Sequence, residues 1–174
     1  MKEQYGLSLR WTHFPLHPET PDSGLTLEEL FRGRGYDIEA MKQRMSGLMA
    51  EENLPYGNRS HTYNSRLAQE LSKWGESFPE GEALNRKLFE AYFVEGLNLA
   101  EAEVLLDVTE ATGLSRKAAE EVIRERRFRN AVDADWRRAH ELGVTGVPTF
   151  VSGNRGLVGA QPLEALEQLI RTSA

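Results

Sequence analysis

The sequence predicts an α/β protein in which a small sheet, drawn from the two ends of the chain, carries a block of helices inserted between them. Three observations predict it. Leu7 to Phe14 alternates apolar and polar residues, with Leu7, Leu9 and Trp11 on one face, which is the period of a strand. From Thr26 to Leu142 apolar residues recur at helical spacing with only short breaks. From Gly143 onward the pattern is a turn, a strand beginning at Pro148, a turn at Ser152–Arg155, a second short strand at Gly156–Gly159, and a closing helix.

Pro15, Pro18 and Pro21 interrupt the first strand and make an extended loop, because proline fits neither a ladder nor a helix interior. Thr26-Leu27-Glu28-Glu29 has the spacing of a capping box. Asp37 is placed to cap a helix whose stripe is Ile38, Met41, Met45, Leu48 and Met49. These methionines are expected to fill core space rather than line a cofactor cup. Asn53 to Asn58 reads as a loop, and a helix resumes near Asn64. Glu82 to Glu95 places Leu84, Leu88, Ala91 and Tyr92 on one face and stops at Gly96. Glu101 to Thr112 stops at Gly113, Ser115 caps the next helix, and Phe128 to Leu142 stops at Gly143. Gln161-Pro162 opens the last helix, with proline at a tolerated first-turn position. No repeat, low-complexity tract or internal boundary divides the chain, so residues 1–174 are expected to form one domain.

Bulk properties exclude several functions. A net charge of −6 argues against general affinity for nucleic acid or anionic membranes. No run approaches the roughly 18 apolar residues that span a bilayer. Met1 to Gly6 lacks the apolar core of a signal peptide, so the cytoplasm is the expected compartment. The chain has no cysteine, which removes disulfides, thiolate ligands and thiol catalysis by these residues.

Gly146-Val147-Pro148-Thr149-Phe150, the hairpin, and Gly159-Ala160-Gln161-Pro162 before a helix resemble the C-terminal end of the DsbA-like thioredoxin family. Two more stretches, Trp11 to Pro18 and Leu88 to Leu99, are similar to its FrnE-like branch of dithiol-disulfide isomerases. The resemblance implies a thioredoxin-like α/β fold of DsbA type. Its thioredoxin-like parts would be residues 5–20 and 143–174, around a large all-helical insertion at 25–142. It implies thiol–disulfide exchange on protein substrates, with Val147-Pro148 cis and facing a Cys-x-x-Cys. That motif opens the family's first helix, whose N-terminal end stabilises a thiolate. Here the family's first strand and the start of that helix are missing, and Met1 falls near the helix's end. The expectation is therefore a shortened form, a strand supplied by a second copy in a swapped homodimer, or two remaining strands closed against each other.

Candidate site residues follow. No catalytic residue is identified. A strand edge at Gly146, Val147, Pro148 and Thr149 offers backbone groups to an extended peptide. Gly159, Ala160 and Gln161 precede a helix, whose N–H groups suit a carboxylate. In glutathione-using relatives, the kappa-class transferases and 2-hydroxychromene-2-carboxylate isomerases, the resemblance places the γ-glutamyl end at this turn. Those relatives carry a serine and an acid where this chain has Ala160 and Gln161, which weakens the glutathione alternative. The other alternative is a non-catalytic module that binds peptides or a partner protein. His13 and His17 lie in a proline-rich loop without a third ligand, so no metal site is expected, and no cofactor. His61 and His140 read as surface or capping groups. Arg124, Arg126, Arg127, Arg129, Arg137 and Arg138 alternate with Glu120, Glu121, Glu125, Asp133 and Asp135, the pattern of a solvated, ion-paired face. Trp74, Trp136, Phe89, Tyr92 and Phe93 read as packing residues.

Overall fold

Short-range signals set several of the helix ends. In the computed structural model, which describes residues 4–172, the Thr26 side chain accepts from the Glu29 N–H and the Glu29 carboxylate accepts from the Thr26 N–H. This capping box starts helix α1, Leu27–Leu30, next to strand β1, Leu25–Thr26. Asp37 caps α2, Ile38–Glu51, through the Ala40 N–H, and Ser115 caps α6, Arg116–Glu125, through the Ala118 N–H. Between them lie β2, His61–Thr62; α3, Arg66–Gly75; α4, Gly81–Phe93; and α5, Ala102–Glu110. Then come α7, Arg129–Glu141; β3, Thr149–Ser152; β4, Arg155–Val158; and α8, Leu163–Arg171.

The chain divides into two compact units, and the division falls within α7. One unit, His17–Val132, is helical apart from the antiparallel pair β1–β2, which joins Leu25 to Thr62 and Thr26 to His61. Its core is built by α3 to α6. Leu71, Leu84, Leu105 and Ala119 are fully buried, and Trp74, Leu88, Ala91, Leu106 and Val122 surround them. The apolar faces recur at three- and four-residue intervals, so each helix presents one stripe to its neighbours. Thr109 is also fully buried, and its hydroxyl donates to the Leu105 carbonyl at 2.7 Å, so no polar group is stranded there. Where α3 meets α4, a Cβ on Gly81 would collide with the Gly75 carbonyl oxygen, and one on Gly75 would press on Leu84. Glycine is needed at this junction for close approach.

A charged network joins α3 to α6. Glu70 is buried at 2% exposure and takes hydrogen bonds from Arg66 at 2.8 Å and Arg126 at 2.7 and 2.8 Å. Arg126 sits just past α6 with φ 51°, a left-handed C-cap. Part of the expected ion-paired face exists around it: Arg124 pairs with Glu125, and Arg127 with Glu121 and Glu125, whereas Asp135, expected on that solvated face, is buried. Arg126 departs from that face and turns to Glu70.

The other unit combines the N-terminal stretch up to Leu16 with the chain from Asp133 onward. It holds the hairpin β3–β4 and α8. The N-terminal stretch is held by Tyr5, whose hydroxyl donates to Glu167 at 2.9 Å, and by the His13 N–H, which donates to the buried Asp135 at 3.1 Å.

Two expectations are corrected. Leu7 to Phe14 is not a strand: no ladder forms there, and Leu9 and Trp11 are 59% and 49% exposed. Alternation describes a face, but a strand also needs a neighbour to accept its backbone hydrogen bonds, and none is paired here. The expected stripe on α2 is present, yet α2 buries no residue and Met41, Met45 and Leu48 are each more than 40% exposed. These methionines do not fill the core. Of the expected packing residues, Trp74 is buried, while Phe89 is exposed at 54% and stacks on Phe93 at 6.0 Å.

Two outcomes test this account. Gly81→Ala should cost about 1–3 kcal/mol through overpacking, read as a lower urea midpoint with an unchanged slope. Burial works to raise the pKa of Glu70, but the hydrogen bonds and charges of Arg126 and Arg66 outweigh it and hold the carboxyl below the usual Glu range. A group depressed in the folded state stabilises it fully above the unfolded pKa, and that contribution is lost as pH falls through the folded value. Stability should therefore drop between about pH 7 and about pH 3 by more in the wild type than in Glu70→Gln. Equal drops in urea titrations at the two pH values would remove Glu70 as the cause.

Candidate functional site: the outer edge of the hairpin

The hairpin begins where α7 is stopped. Gly143 has φ 67°, its N–H donates to the His140 carbonyl, and the Val144 N–H donates to the Ala139 carbonyl, both at 2.9 Å. This pair of bonds is the Schellman arrangement, which glycine permits at the left-handed position. The chain then bends through Gly146 to Pro148. The Val147–Pro148 peptide is cis, and the Thr149 hydroxyl donates to the Gly146 carbonyl at 2.6 Å. Those contacts hold the four residues singled out in the sequence, Gly146, Val147, Pro148 and Thr149, in one bend at the start of β3.

β3 and β4 are antiparallel, with Thr149 opposite Val158, Phe150 opposite Leu157, Val151 opposite Gly156 and Ser152 opposite Arg155. The turn is the two residues Gly153 and Asn154, with Gly153 at φ 59°, where an L side chain is disfavoured. Antiparallel ladders alternate between pairs that exchange hydrogen bonds and pairs that do not. A two-residue turn makes Ser152–Arg155 a bonded pair, so Phe150–Leu157 is bonded too. Thr149 and Val151 then aim their N–H and C=O groups away from β4, along the outer edge of β3. Gly156 and Val158 do the same on the outer edge of β4. The Gly159 N–H extends the inner ladder by donating to the Pro148 carbonyl at 2.7 Å.

Apolar side chains frame the edge. Val147 is 48% exposed, and Phe150, Val151, Val158 and Leu163 are exposed as well. Leu157 is half-buried and lines a shallow groove with Ala165 and Leu169 of α8, so α8 supports the hairpin from the Leu157 side. The edge can bind an extended chain by adding a strand to the sheet. It carries no thiol, and the Thr149 hydroxyl is committed to its own backbone, so it offers no nucleophile.

The second turn singled out in the sequence is differently placed. The Gly159 N–H is committed to Pro148, the Gln161 side chain donates to the Val158 carbonyl at 2.7 Å, and Pro162 at the cap has no N–H. Glu164 already brings a negative charge to the first turn of α8. At this turn the Gly159 N–H and the Gln161 side-chain amide are thus already committed. Among the described residues no group of three or more His, Asp or Glu could hold a metal ion, and no helix is long and apolar enough to cross a membrane.

Comparison with known proteins fits this geometry. The sequence matches the DSBA-like thioredoxin domain over residues 1–171. The structure superposes on that of the probable DsbA oxidoreductase SCO1869 from Streptomyces coelicolor with a TM-score of 0.83 and 26% identity, covering 91% of this chain and 71% of that one. A 2-hydroxychromene-2-carboxylate isomerase superposes with a TM-score of 0.76 over 98% of this chain and 83% of the other; its 21% identity speaks for the fold alone. The uncharacterized protein YwbO of Bacillus subtilis is 26% identical over 111 residues, 63% of this chain. The matched stretch spans only 55% of the length of YwbO.

Proposed function

The chain belongs to the DsbA-like thioredoxin family, and from that membership we propose that it recognises extended segments of protein substrates along the outer edge of β3, as the recognition part of a disulfide oxidoreductase or isomerase. One observation carries the reading: Thr149 and Val151 turn their backbone donors and acceptors outward, between the exposed side chains of Val147, Phe150 and Val151. Main-chain hydrogen bonds of this kind give affinity for any extended segment, and the flanking side chains give preference. The chemistry of exchange needs a thiolate, and none of the 174 residues supplies one. The stretches Trp11 to Pro18 and Leu88 to Leu99 support the FrnE-like branch, and the absence of cysteine among these residues is compatible with a cytoplasmic setting. The commitment of the Gly159 N–H to Pro148 speaks against the glutathione-dependent alternative.

Two measurements test the proposal. Titration with an extended, β-branched-rich peptide should shift the amide resonances of Thr149 and Val151 ahead of others. Val151→Pro removes an outward N–H without breaking the inner ladder and should weaken binding about tenfold or more, which is about 1.4 kcal/mol. Val158→Pro makes the same change on the β4 edge and should leave binding intact. If both variants bind as the wild type does, the β3 edge is not the site. In an insulin reduction assay the 174-residue chain should show no turnover above the uncatalysed rate. Turnover there would place chemistry in this chain that does not pass through a thiol of its own.

A further inference from the structure

Helix α2 is fixed at its ends but not along its length. Asp37 closes its first turn. At the other end the Leu54 N–H donates to the Met49 carbonyl at 2.9 Å, across Asn53, which is left-handed with φ 55°. Between those ends α2 buries no residue, and among the described residues no other helix or strand packs along it. At about 100° per residue Met41, Met45 and Leu48 share one narrow stripe, and all three are more than 40% exposed. Ile38 and Met49, beside that stripe, are half-buried. The methionine-rich part of the apolar face therefore looks outward.

The N-terminal half of this surface is basic. Arg32 and Arg34 lie in the turn that leads into α2, Lys42 and Arg44 lie on the helix, and among the described residues none of the four makes an ion pair. Arg44 neighbours both Met41 and Leu48, at three- and four-residue spacing. The nearby acids are committed elsewhere. Glu29 belongs to its capping box, Asp37 caps the Ala40 N–H, and Glu39 accepts from the Gln43 side chain at 3.2 Å, away from the stripe. In the rest of this unit cations are matched locally: Arg66 and Arg126 by Glu70, Lys73 by Glu76, Lys87 by Glu90. Four unmatched cations beside an exposed apolar stripe stand out in a chain of net charge −6. Glu51 and Glu52 follow at the C-terminal end, so the charge runs from basic to acidic along α2.

We propose that α2 and the turn before it dock an acidic amphipathic helix of a partner protein, whose apolar stripe covers Met41, Met45 and Leu48 and whose carboxylates meet the unmatched cations. The inference does not rest on the reading of the β3 edge. Apolar residues at i, i+4 and i+7 are the anchors by which one helix packs on another. Burying the stripe removes apolar surface from water, and methionine adapts its shape to the side chains it meets. The cations steer an acidic partner and fix its direction, because Glu51 and Glu52 repel its carboxylates from the other end. The net charge of −6 disfavours an anionic lipid surface as the occupant.

Two designed helical peptides test this. They share a leucine stripe and differ in the residues beside it, glutamate in one and lysine in the other. Added to the full chain, the glutamate peptide should shift the amide resonances of Met41, Met45 and Leu48 and bind about tenfold more tightly than the lysine peptide. Added salt should weaken it. Arg44→Glu and Met45→Asp should each weaken it about fivefold or more. Gln43→Glu, which adds negative charge on the far side of α2, should leave it unchanged. Because α2 buries no residue, these variants should keep the wild-type urea midpoint, and Arg44→Gln with Met45→Gln repeats the test more gently. Equal binding of the two peptides, no binding of either, or wild-type affinity in the Arg44 and Met45 variants overturns the proposal. Shifts at Thr149 and Val151 with α2 silent overturn it too and leave the β3 reading standing. Shifts on α2 that appear with vesicles of anionic lipid but not with the glutamate peptide make the surface a membrane contact. Shifts that grow with protein concentration alone make it a contact between copies, and either result overturns the proposal.

Discussion

Every main-chain N–H and C=O must find a partner, and a sheet can satisfy only the rows that have a neighbour. The helical unit meets much of this constraint within itself. Its helices bond internally, the first turns of α1, α2 and α6 are closed by Thr26, Asp37 and Ser115, and its one short ladder, β1 with β2, joins two segments of the same unit. The hairpin meets it only halfway. Each of its two strands has an inner row that is paired, and among the described residues no strand joins either outer row, although the Gln161 side chain donates to the Val158 carbonyl on the β4 side. A two-stranded hairpin is marginal alone in water, and here α8 supports it through Leu157, Ala165 and Leu169. That support reaches one side and leaves the edges untouched. The exposure of Val147, Val151 and Val158 therefore follows from the same shortage as the open backbone, because side chains are covered when a strand is flanked.

This contrast explains what could be seen in the sequence. Features written within one turn of helix were legible. The capping box at Thr26 and Glu29, the caps at Asp37 and Ser115, and the glycine stops at Gly113 and Gly143 depend on residues at most a few positions apart. The hairpin was legible for the same reason, since Gly153 and Asn154 define its turn. The family resemblance was legible from the residues around Pro148, and with it the α/β class. What failed depended on partners remote in the chain. The alternation of Leu7 to Phe14 was real, but alternation does not say whether a neighbouring strand exists. The stripe on α2 was real, but periodicity does not say whether another element covers it. Glu70 and Arg126 are 56 residues apart, and nothing local marks Glu70 as the buried member of a helical face. β1 and β2, at two residues each, are shorter than any period that could reveal them.

Recognition of the proposed kind and thiol chemistry make different physical demands. Thiol exchange needs one particular side chain, activated at one particular place. Strand addition needs only main-chain groups held in line, and these survive any change that keeps the turn geometry. The residues that matter at the edge are accordingly those that shape the chain: Gly143 in its left-handed cap, Gly146 accepting from Thr149, Pro148 ahead of the ladder, and Gly153 in the hairpin turn. Because the Thr149 hydroxyl bonds its own backbone, the proposed side-chain contacts with a bound segment would fall to Val147, Phe150 and Val151, all apolar and all exposed. On the reading proposed above, such an edge would favour extended apolar segments over polar or helical ones and discriminate weakly among the former.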